Sequence, residues 1–179
     1  MIQFVTSNEG KVREAREYLP EAVRQVNYDY TEIQSDDLGA IVDRGAREAY
    51  REIDGDEPVL VDDTGLFVQA LDGFPGPYSA YVDDTLGIER VQRLVDEEEN
   101  HRAAFRTVLG YYDGETVETF EGSLRGRIVP PRGNGGFGYD PIFEHDGRTL
   151  AELSTEEKNA ISHRARALST FADWLAEQA

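Results

Sequence analysis

The stretch V-L-V-D-D-T-G-L-F-V, residues 59–68, decides the fold that we predict for this chain. Three apolar residues run directly into Asp62 and Asp63, and a Thr-Gly step then leads into three more apolar residues. A short apolar run between turn signals is typical of a buried strand, and the carboxyl ends of strands are where α/β sheets collect ligands. Two carboxylates can be buried there only beside a positive charge. We interpret the pair as a Mg²⁺ site with one carboxylate left to activate water, and a solvated Asp-Asp turn is the alternative.

The length and composition predict a single domain, 1–179, with a modest core. The chain has 179 residues, 39 % of them hydrophobic, and no cysteine, which excludes disulfides, thiol catalysis and thiolate metal sites. No apolar run approaches the ~20 residues of a membrane span, and no charged-then-apolar leader precedes the first predicted strand. We therefore expect a cytoplasmic protein without a membrane partner.

The charge is strongly negative, at −18 from 36 acidic and 18 basic residues. This balance argues against a nucleic-acid partner, which would need a basic face. It permits a nucleotide substrate, because a few local cations dominate at short range. Acidic residues spread over the whole chain indicate adaptation to high salt, where screening weakens their repulsion. Only two of the bases are lysines, Lys11 and Lys158, and this scarcity suggests that both were kept for a function.

The beginning of the chain predicts a phosphate-binding loop. An apolar strand over residues 2–6 leads through Ser7 and Asn8 into a helix that carries Lys11 in its first turn. A helix N-terminus presents backbone N–H groups and a positive dipole end to an anion, and Lys11 adds a point charge. The alternative is an ordinary loop in which Ser7 or Asn8 only caps the helix.

The remaining pattern predicts a mixed α/β sheet. Strands alternate with helices three times, two strands then follow each other, and a long helix closes the chain. In that last helix Lys158 and Ser162 lie four residues apart on one face, followed by His163 and Arg164. We expect strands near 22–30, 59–68, 105–112 and 116–129, and helices near 38–53, 86–95 and 155–177.

Residues 133–138 formally spell G-x-G-x-x-G, but we do not interpret them as a dinucleotide-binding motif. They follow two prolines and precede Asp140-Pro141, so they do not open a helix inside a βαβ unit. The glycines instead suit a close backbone approach to a ligand. Phe137 and Tyr139 would be stacking faces, and Asp140 a hydrogen-bond acceptor.

Five ordered blocks resemble the inosine/xanthosine triphosphate pyrophosphatase family, which removes non-standard purine nucleotides from the precursor pool. They are T-S-N-E-G-K (6–11), V-D-D-T-G-L (61–66), G-F-P-G-P-Y-S (73–79), G-G-F-G-Y-D-P-I-F (135–143) and E-K-N-A-I-S-H-R (157–164). Each block alone is a weak signal, but all five in order are specific. Both lysines of the chain fall inside them.

The resemblance implies a two-lobed α/β protein, often a homodimer, with its active site in the cleft between the lobes. The reaction would be the Mg²⁺-dependent hydrolysis of ITP, dITP or XTP to the monophosphate and pyrophosphate. Asp63 and Lys11 would be catalytic, with Asp62 and Asp63 on the metal. The substrate-binding residues it implies are Thr6, Ser7, Asn8, Lys11, Phe137, Gly138, Tyr139, Asp140, Lys158, Ser162, His163 and Arg164.

One departure from the family pattern concerns the metal. The family places a metal-binding Glu near the start of the second helix, where this chain has Asp36 and Asp37. We expect one of them, Asp37 in our assignment, to take its place. Two other functions remain open: a related nucleotide phosphatase or pyrophosphatase with another base preference, and a nucleotide-binding sensor without turnover.

Overall fold

The computed structural model describes residues 1–19, 22–53 and 55–178, and it confirms the mixed α/β fold. The described residues form six helices and an eight-stranded sheet. The strands are β1 (Ile2–Val5), β2 (Val23–Val26), β3 (Val59–Val68), β4 (Pro75–Gly76), β5 (Arg102–Tyr112), β6 (Val117–Ile128), β7 (Phe143–His145) and β8 (Arg148–Thr149). The helices are α1 (Glu9–Tyr18), α2 (Leu38–Glu52), α3 (Ser79–Leu86), α4 (Ile88–Asp96), α5 (Thr155–Ile161) and α6 (His163–Gln178).

The sheet runs in the order β2-β1-β3-β5-β6-β7-β8, with β4 paired to β3. Strand β1 pairs in parallel with both β2 and β3, whereas β7 pairs antiparallel with β6 and with β8. The register that sets Phe4 opposite Leu60 places the loop after β1 beside Asp62 in the neighbouring strand. The Asp62-Asp63 pair lies inside β3 and not at its carboxyl end.

The chain groups into two compact units. Unit 1 comprises the described residues of Met1–Asp63, Thr107–Gly122 and His163–Ala179, and unit 2 comprises Thr64–Arg106 and Ser123–Ser162. The core of unit 1 is built around Phe4, Leu60, Leu109 and Phe171, all fully buried. The core of unit 2 includes Leu66, Val91, Leu124, Ile142 and Phe143. That the whole chain behaves as one domain stays a prediction.

The predicted last helix is wrong in one respect, because it is broken at Ser162. Residues 155–177 were expected as one helix, but Ser162 adopts an extended conformation with φ −63° and ψ 152° between α5 and α6. Its backbone N–H donates to the carbonyl of Asn159, which ends α5. Serine favours helix termini over interiors, since its hydroxyl competes for backbone groups.

Two further elements, β2 and α3, differ from the predicted pattern. Strand β2 spans four residues instead of the nine expected near 22–30. The Gly/Pro-rich loop is followed by a helix, α3, that was not predicted, and Gly87 separates it from α4. No helix among the described residues is long and apolar enough to cross a membrane.

Candidate active site

The loop after β1 forms a compact helix cap. Asn8 is the N-cap of α1, and its side-chain oxygen accepts hydrogen bonds from the backbone N–H groups of Gly10, at 2.8 Å, and Lys11, at 3.3 Å. The hydroxyl oxygen of Thr6 accepts one from the N–H of Asn8 at 3.2 Å. Ser7 is exposed beside them. Asn8 therefore caps the helix, its part in phosphate binding stays a prediction, and Lys11 lies in the first turn of α1.

A buried charge cluster lies at Asp62. The Lys11 ammonium donates to Asp62 Oδ1 at 2.9 Å, and the Arg164 Nε donates to Asp62 Oδ2 at 3.3 Å. Arg164 also donates through Nη1 to Glu14 Oε2 at 3.2 Å. The side chains of Asp62 and Glu14 are only 2 % and 6 % exposed, so each charge depends on its partner.

The electrostatics of the cluster favour its charged form. Burial alone would raise the pKa of the Asp62 carboxyl, but Lys11 and Arg164 outweigh it and hold that pKa below its usual value. Burial would likewise lower the pKa of the Arg164 guanidinium, while Asp62 and Glu14 raise it. Two acids and two bases thus neutralise each other, and Lys11 is the partner with the most exposed side chain, at 23 %.

Two residues of this cluster were missed by sequence reasoning. Glu14 lies three positions after Lys11, which is the spacing that places two side chains on one face of a helix. That spacing was the available signal. Tyr30, whose hydroxyl lies 3.5 Å from the backbone carbonyl of Asp62, follows an irregular stretch and gave no signal. The Tyr30 ring packs against the backbone of Gly45, and a Cβ at that position would lie 2.6 Å from the ring carbons.

Two of the three predicted metal ligands, Asp62 and Asp37, are engaged by other groups of the protein. Both carboxylate oxygens of Asp62 are engaged by cations, and Asp37 uses its Oδ1 to cap α2 through the N–H of Gly39 at 2.8 Å. Among the described residues, no group of three His, Asp or Glu side chains is placed to hold a metal. A Mg²⁺ ion at Asp62 would have to share that carboxylate with Lys11 and Arg164, so the metal assignment stays a prediction.

A second charge pair lies in unit 2. Asp140 is 3 % exposed, and its Oδ2 accepts from both the Lys158 ammonium and the backbone N–H of Phe137, the latter at 2.8 Å. The Lys158 nitrogen also lies 4.4 Å from the centroid of the Phe137 ring, which is a cation–π distance. Gly136, with φ +71°, permits the approach, because a Cβ there would lie 2.2 Å from Asp140 Oδ2. Phe137 is 71 % exposed and so offers a free face.

Tyr139 is not a stacking face. It is 5 % exposed, belongs to the core of unit 2, and donates its hydroxyl to the carbonyl of Ser79 at 2.8 Å. Burial first, and then the charge of Asp83, raise the pKa of this phenol. The prediction of stacking at Tyr139 is corrected by this burial, because a core ring cannot receive a base. Gly138, beside it, has φ +56° and lies in the turn that joins Phe137 to Tyr139.

Ser162 and His163 are both buried at the junction of α5 and α6, at 6 % and 7 % exposure. The break falls at Ser162, which the predicted helix would have placed on one face with Lys158. Lys158 belongs to unit 2 with Asp140, whereas Arg164 belongs to unit 1 with Asp62. The twelve predicted binding residues therefore divide equally between the two units, and each unit holds one lysine–aspartate pair.

Comparison with known proteins assigns the family. The model of the Ham1 family matches residues 2–174. This chain belongs to the Ham1 family. The chain is 50 % identical to a protein named dITP/XTP pyrophosphatase from Thermococcus kodakarensis, with 98 % of this chain and 97 % of that protein covered. It is 49 % identical to a protein of the same name from Methanopyrus kandleri, over 97 % and 95 % of the two chains.

Solved structures agree with the family assignment. The Ham1 protein of Staphylococcus aureus matches with a TM-score of 0.89 at 29 % identity, covering 99 % of both chains. A HAM1 protein from Coxiella burnetii matches with a TM-score of 0.86 at 31 % identity, covering 98 % of both. The predicted relationship, which was made from five short blocks, thus extends over nearly the whole chain.

Proposed function

We propose that this protein hydrolyses non-standard purine nucleoside triphosphates, dITP, ITP and XTP, to the monophosphate and pyrophosphate, and so cleanses the nucleotide pool. Membership of the Ham1 family and full-length relatives named dITP/XTP pyrophosphatase support this activity. The observation that carries it is the buried Asp62 with its two cations, directly before Asp63. Such a cluster places two cations on the residue next to a carboxylate that can accept a proton.

Phosphate binding falls to the loop after β1. Lys11 keeps two of its three ammonium protons beyond the one donated to Asp62, and its side chain is partly exposed. We assign it, with Thr6, Ser7 and Asn8, to the triphosphate. The first turn of α1 adds its positive dipole end, which favours an anion at this place.

Asp63 is the proposed general base. A water oxygen attacks the α-phosphorus, the bond from that phosphorus to the bridging oxygen breaks, and pyrophosphate leaves. The proton of the water passes to the Asp63 carboxylate, and Lys11 and Arg164 stabilise the negative charge on the phosphoryl oxygens. Asp62 acts in this proposal as a positioning residue, because it holds both cations.

Base recognition falls to the residues around Asp140. The exposed ring of Phe137 supplies a stacking face, and Lys158 and Asp140 supply a donor and an acceptor. A 6-oxo purine such as hypoxanthine or xanthine accepts a hydrogen bond where adenine donates one. A site that leaves such a group unpaired rejects the wrong base more strongly than a mismatch of shape does. Gly138, Ser162 and His163 belong to the same proposed binding set, and the buried Tyr139 supports the loop from the core.

The cofactor and the assembly stay predictions. The family resemblance implies Mg²⁺, held by Asp62, Asp63 and Asp37, although the described side chains do not form such a site. Metal removal tests the requirement: with EDTA, turnover should fall to background and return when Mg²⁺ is added in excess. The homodimer, the cleft between lobes, the cytoplasmic location and the adaptation to salt also remain to be tested.

The test of the activity is product analysis. Pyrophosphate and orthophosphate release would be measured from ITP, XTP, dITP, GTP and ATP, with Mg²⁺ and KCl varied. Pyrophosphate from the first three, with little from ATP or GTP, is the expected result. Orthophosphate, or turnover of another base, would establish the alternative phosphatase or base preference. Tight binding without any turnover at any salt concentration would establish the sensor.

A further inference from the structure

One face of the sheet in unit 2 carries a group of arginines. Along β5, Ala103 and Phe105 are buried in the core, and along β6 the buried residues are Leu124 and Ile128. Successive side chains of a strand point to opposite faces. The residues between these core positions therefore share the other face, and they include Arg102, Arg125 and Arg127.

The pairing of the two strands places like charges together. The backbone N–H of Ile128 donates to the carbonyl of His101 at 2.8 Å, and this register sets Arg102 directly opposite Arg127. Arg125 lies two residues further along β6 on the same face. Directly opposite residues have Cβ atoms about 5 Å apart, and like charges at that distance destabilise a sheet. A folded protein keeps such a pair only if something compensates for it.

No carboxylate in the described residues neutralises these three guanidinium groups. Four of the sixteen arginines make no side-chain hydrogen bond or ion pair to another described residue: Arg13, Arg102, Arg125 and Arg127. Three of those four therefore lie together, in a chain with twice as many acids as bases. With so many acids available, an arginine placed at random would usually have a carboxylate within reach.

Two acids, Glu144 and Asp146, line the same cavity as the three arginines. Glu144 lies directly opposite Arg127 on β7, but its carboxylate accepts a hydrogen bond from Arg132 at 2.6 Å. The exposed Asp146 lies 3.4 Å from His145. Glu99 lines an adjoining cavity with Arg102 and Arg127, and no ion pair joins it to either. Three arginines thus face two acids around the cavity, and one of those acids, Glu144, is already paired with Arg132.

The arginines border a cavity of about 910 Å³. Phe67 and Ala104 give it apolar walls, and the Arg106 guanidinium lies 4.8 Å from the centroid of the Phe67 ring. Ligand pockets generally span ~300–1,000 Å³ and combine apolar walls with a few polar groups. The volume and the lining fit a small ligand with several negative charges.

We propose that this face binds a small multivalent phosphate anion, either free pyrophosphate or a nucleoside phosphate. Guanidinium groups bind phosphate oxygens through paired hydrogen bonds, and one phosphate group between Arg102 and Arg127 would turn their repulsion into shared attraction. None of these residues belongs to the clusters around Asp62 and Asp140. If the proposed function is correct, its own product is such an anion, and this link alone rests on that function.

The test is a calorimetric titration at low salt without divalent metal, using inorganic pyrophosphate in one arm and AMP in the other. The variants are Arg125→Gln/Arg127→Gln, the matched control Arg13→Gln, and Lys11→Ala. We expect the double variant to lose one class of pyrophosphate sites, with affinity there weakened about tenfold or more.

The control variant Arg13→Gln should bind pyrophosphate as wild type does. Lys11→Ala should keep the arginine site and lose turnover, whereas the double variant keeps turnover. If pyrophosphate binds and AMP does not, the ligand of this face is free pyrophosphate. If AMP binds, the face is a nucleotide site.

Three results would overturn the proposal. One is a double variant that folds normally, by its thermal midpoint, and binds both anions as wild type does. Another is a wild type that binds neither anion outside the site lost with Lys11. The third is a double variant with an altered sedimentation coefficient and unchanged anion binding, which would make the face an interface between subunits. If no substrate is turned over but the arginine site binds, the proposed function fails and this inference stands.

Discussion

Each of the two lysines pairs with a buried aspartate, one in each unit: Lys11 with Asp62, and Lys158 with Asp140. The two aspartates are held differently. In the described contacts, both carboxylate oxygens of Asp62 accept hydrogen bonds from cationic side chains only, those of Lys11 and Arg164. Asp140 is held by Lys158 and by a backbone N–H group of its own loop.

This difference indicates two tasks. The charges around Asp62 balance one another within the buried cluster, so a change of charge there should disturb both folding and the proposed catalysis. The backbone hydrogen bond to Asp140 shapes the loop that presents Phe137, so a change there should disturb recognition first. The following predictions test whether the two clusters separate in this way.

Asp63→Asn should reduce kcat by about 10²- to 10⁴-fold, the usual contribution of a general base. The amide keeps the volume of the side chain but cannot take up a proton at neutral pH. Steady-state pyrophosphate release measures kcat, and the thermal midpoint measures folding. Glu156→Gln, an exposed acid on α5, is the matched control. Turnover near that of wild type would remove Asp63 from its role.

Asp62→Asn should cost about 3–5 kcal/mol of unfolding free energy, because it leaves Lys11 and Arg164 without their shared counter-charge in a buried place. Urea denaturation measures the loss. Asp43→Asn, which removes an exposed i,i+4 partner of Arg47, is the control and should cost under ~1 kcal/mol. Equal losses in the two variants would show that the cluster at Asp62 is not a structural element.

Lys158→Ala should raise the KM for ITP about tenfold with a smaller change in kcat, because a lost charge-assisted hydrogen bond weakens binding by ~1.5 kcal/mol or more. Lys11→Ala should instead lower kcat, since Lys11 lies with the proposed reacting groups. An unchanged KM in Lys158→Ala would remove Asp140 and Lys158 from the recognition site. It would also contradict the assignment of separate tasks to the two clusters.

Acid titration should separate Asp62 from the other carboxylates. Its pKa is lower in the folded protein than in the unfolded chain, so its stabilisation is complete above the ordinary aspartate pKa of 3.8 and is lost as pH falls towards the folded value. Unfolding free energy measured between about pH 5 and pH 3 should therefore fall less steeply in Asp62→Asn than in wild type. Equal slopes would mean that Asp62 carries no such pKa shift.

The sequence predicted the elements whose signals are local. The apolar run before Asp62, the helix cap at Asn8 and the stripe of α2 each follow from residues close in the chain. The scarcity of lysine and the two motifs singled out Lys11 and Lys158, and both pair with buried aspartates; their roles in function stay predictions. Even the rejection of a dinucleotide motif near Gly133 is confirmed, because those residues form a loop that leads into a short 3-10 turn at Asp140.

The missed features depend on tertiary contacts. The break at Ser162 interrupts a sequence pattern that predicts one continuous helix. The opposition of Arg102 and Arg127 follows only from the register of β5 and β6. The ion pair from Arg164 to Glu14 joins residues 150 positions apart, which no local pattern encodes. Tyr139 was placed at the surface because aromatic residues in a glycine-rich loop suit stacking, whereas the core of unit 2 buries it.

Tyr139→Phe gives the smallest expected effect and the finest test of that correction. The variant keeps the ring that fills the core but removes the donor to the Ser79 carbonyl, so it should cost about 1 kcal/mol of unfolding free energy. If Tyr139 only supports the loop, KM for ITP and the preference over ATP should stay within about twofold of wild type. Phe137→Leu, which changes the exposed ring and leaves the core intact, should raise KM while unfolding free energy stays near that of wild type. The opposite pattern, a specificity lost with Tyr139 and kept without Phe137, would place base recognition at the buried phenol and require this loop to open when substrate binds.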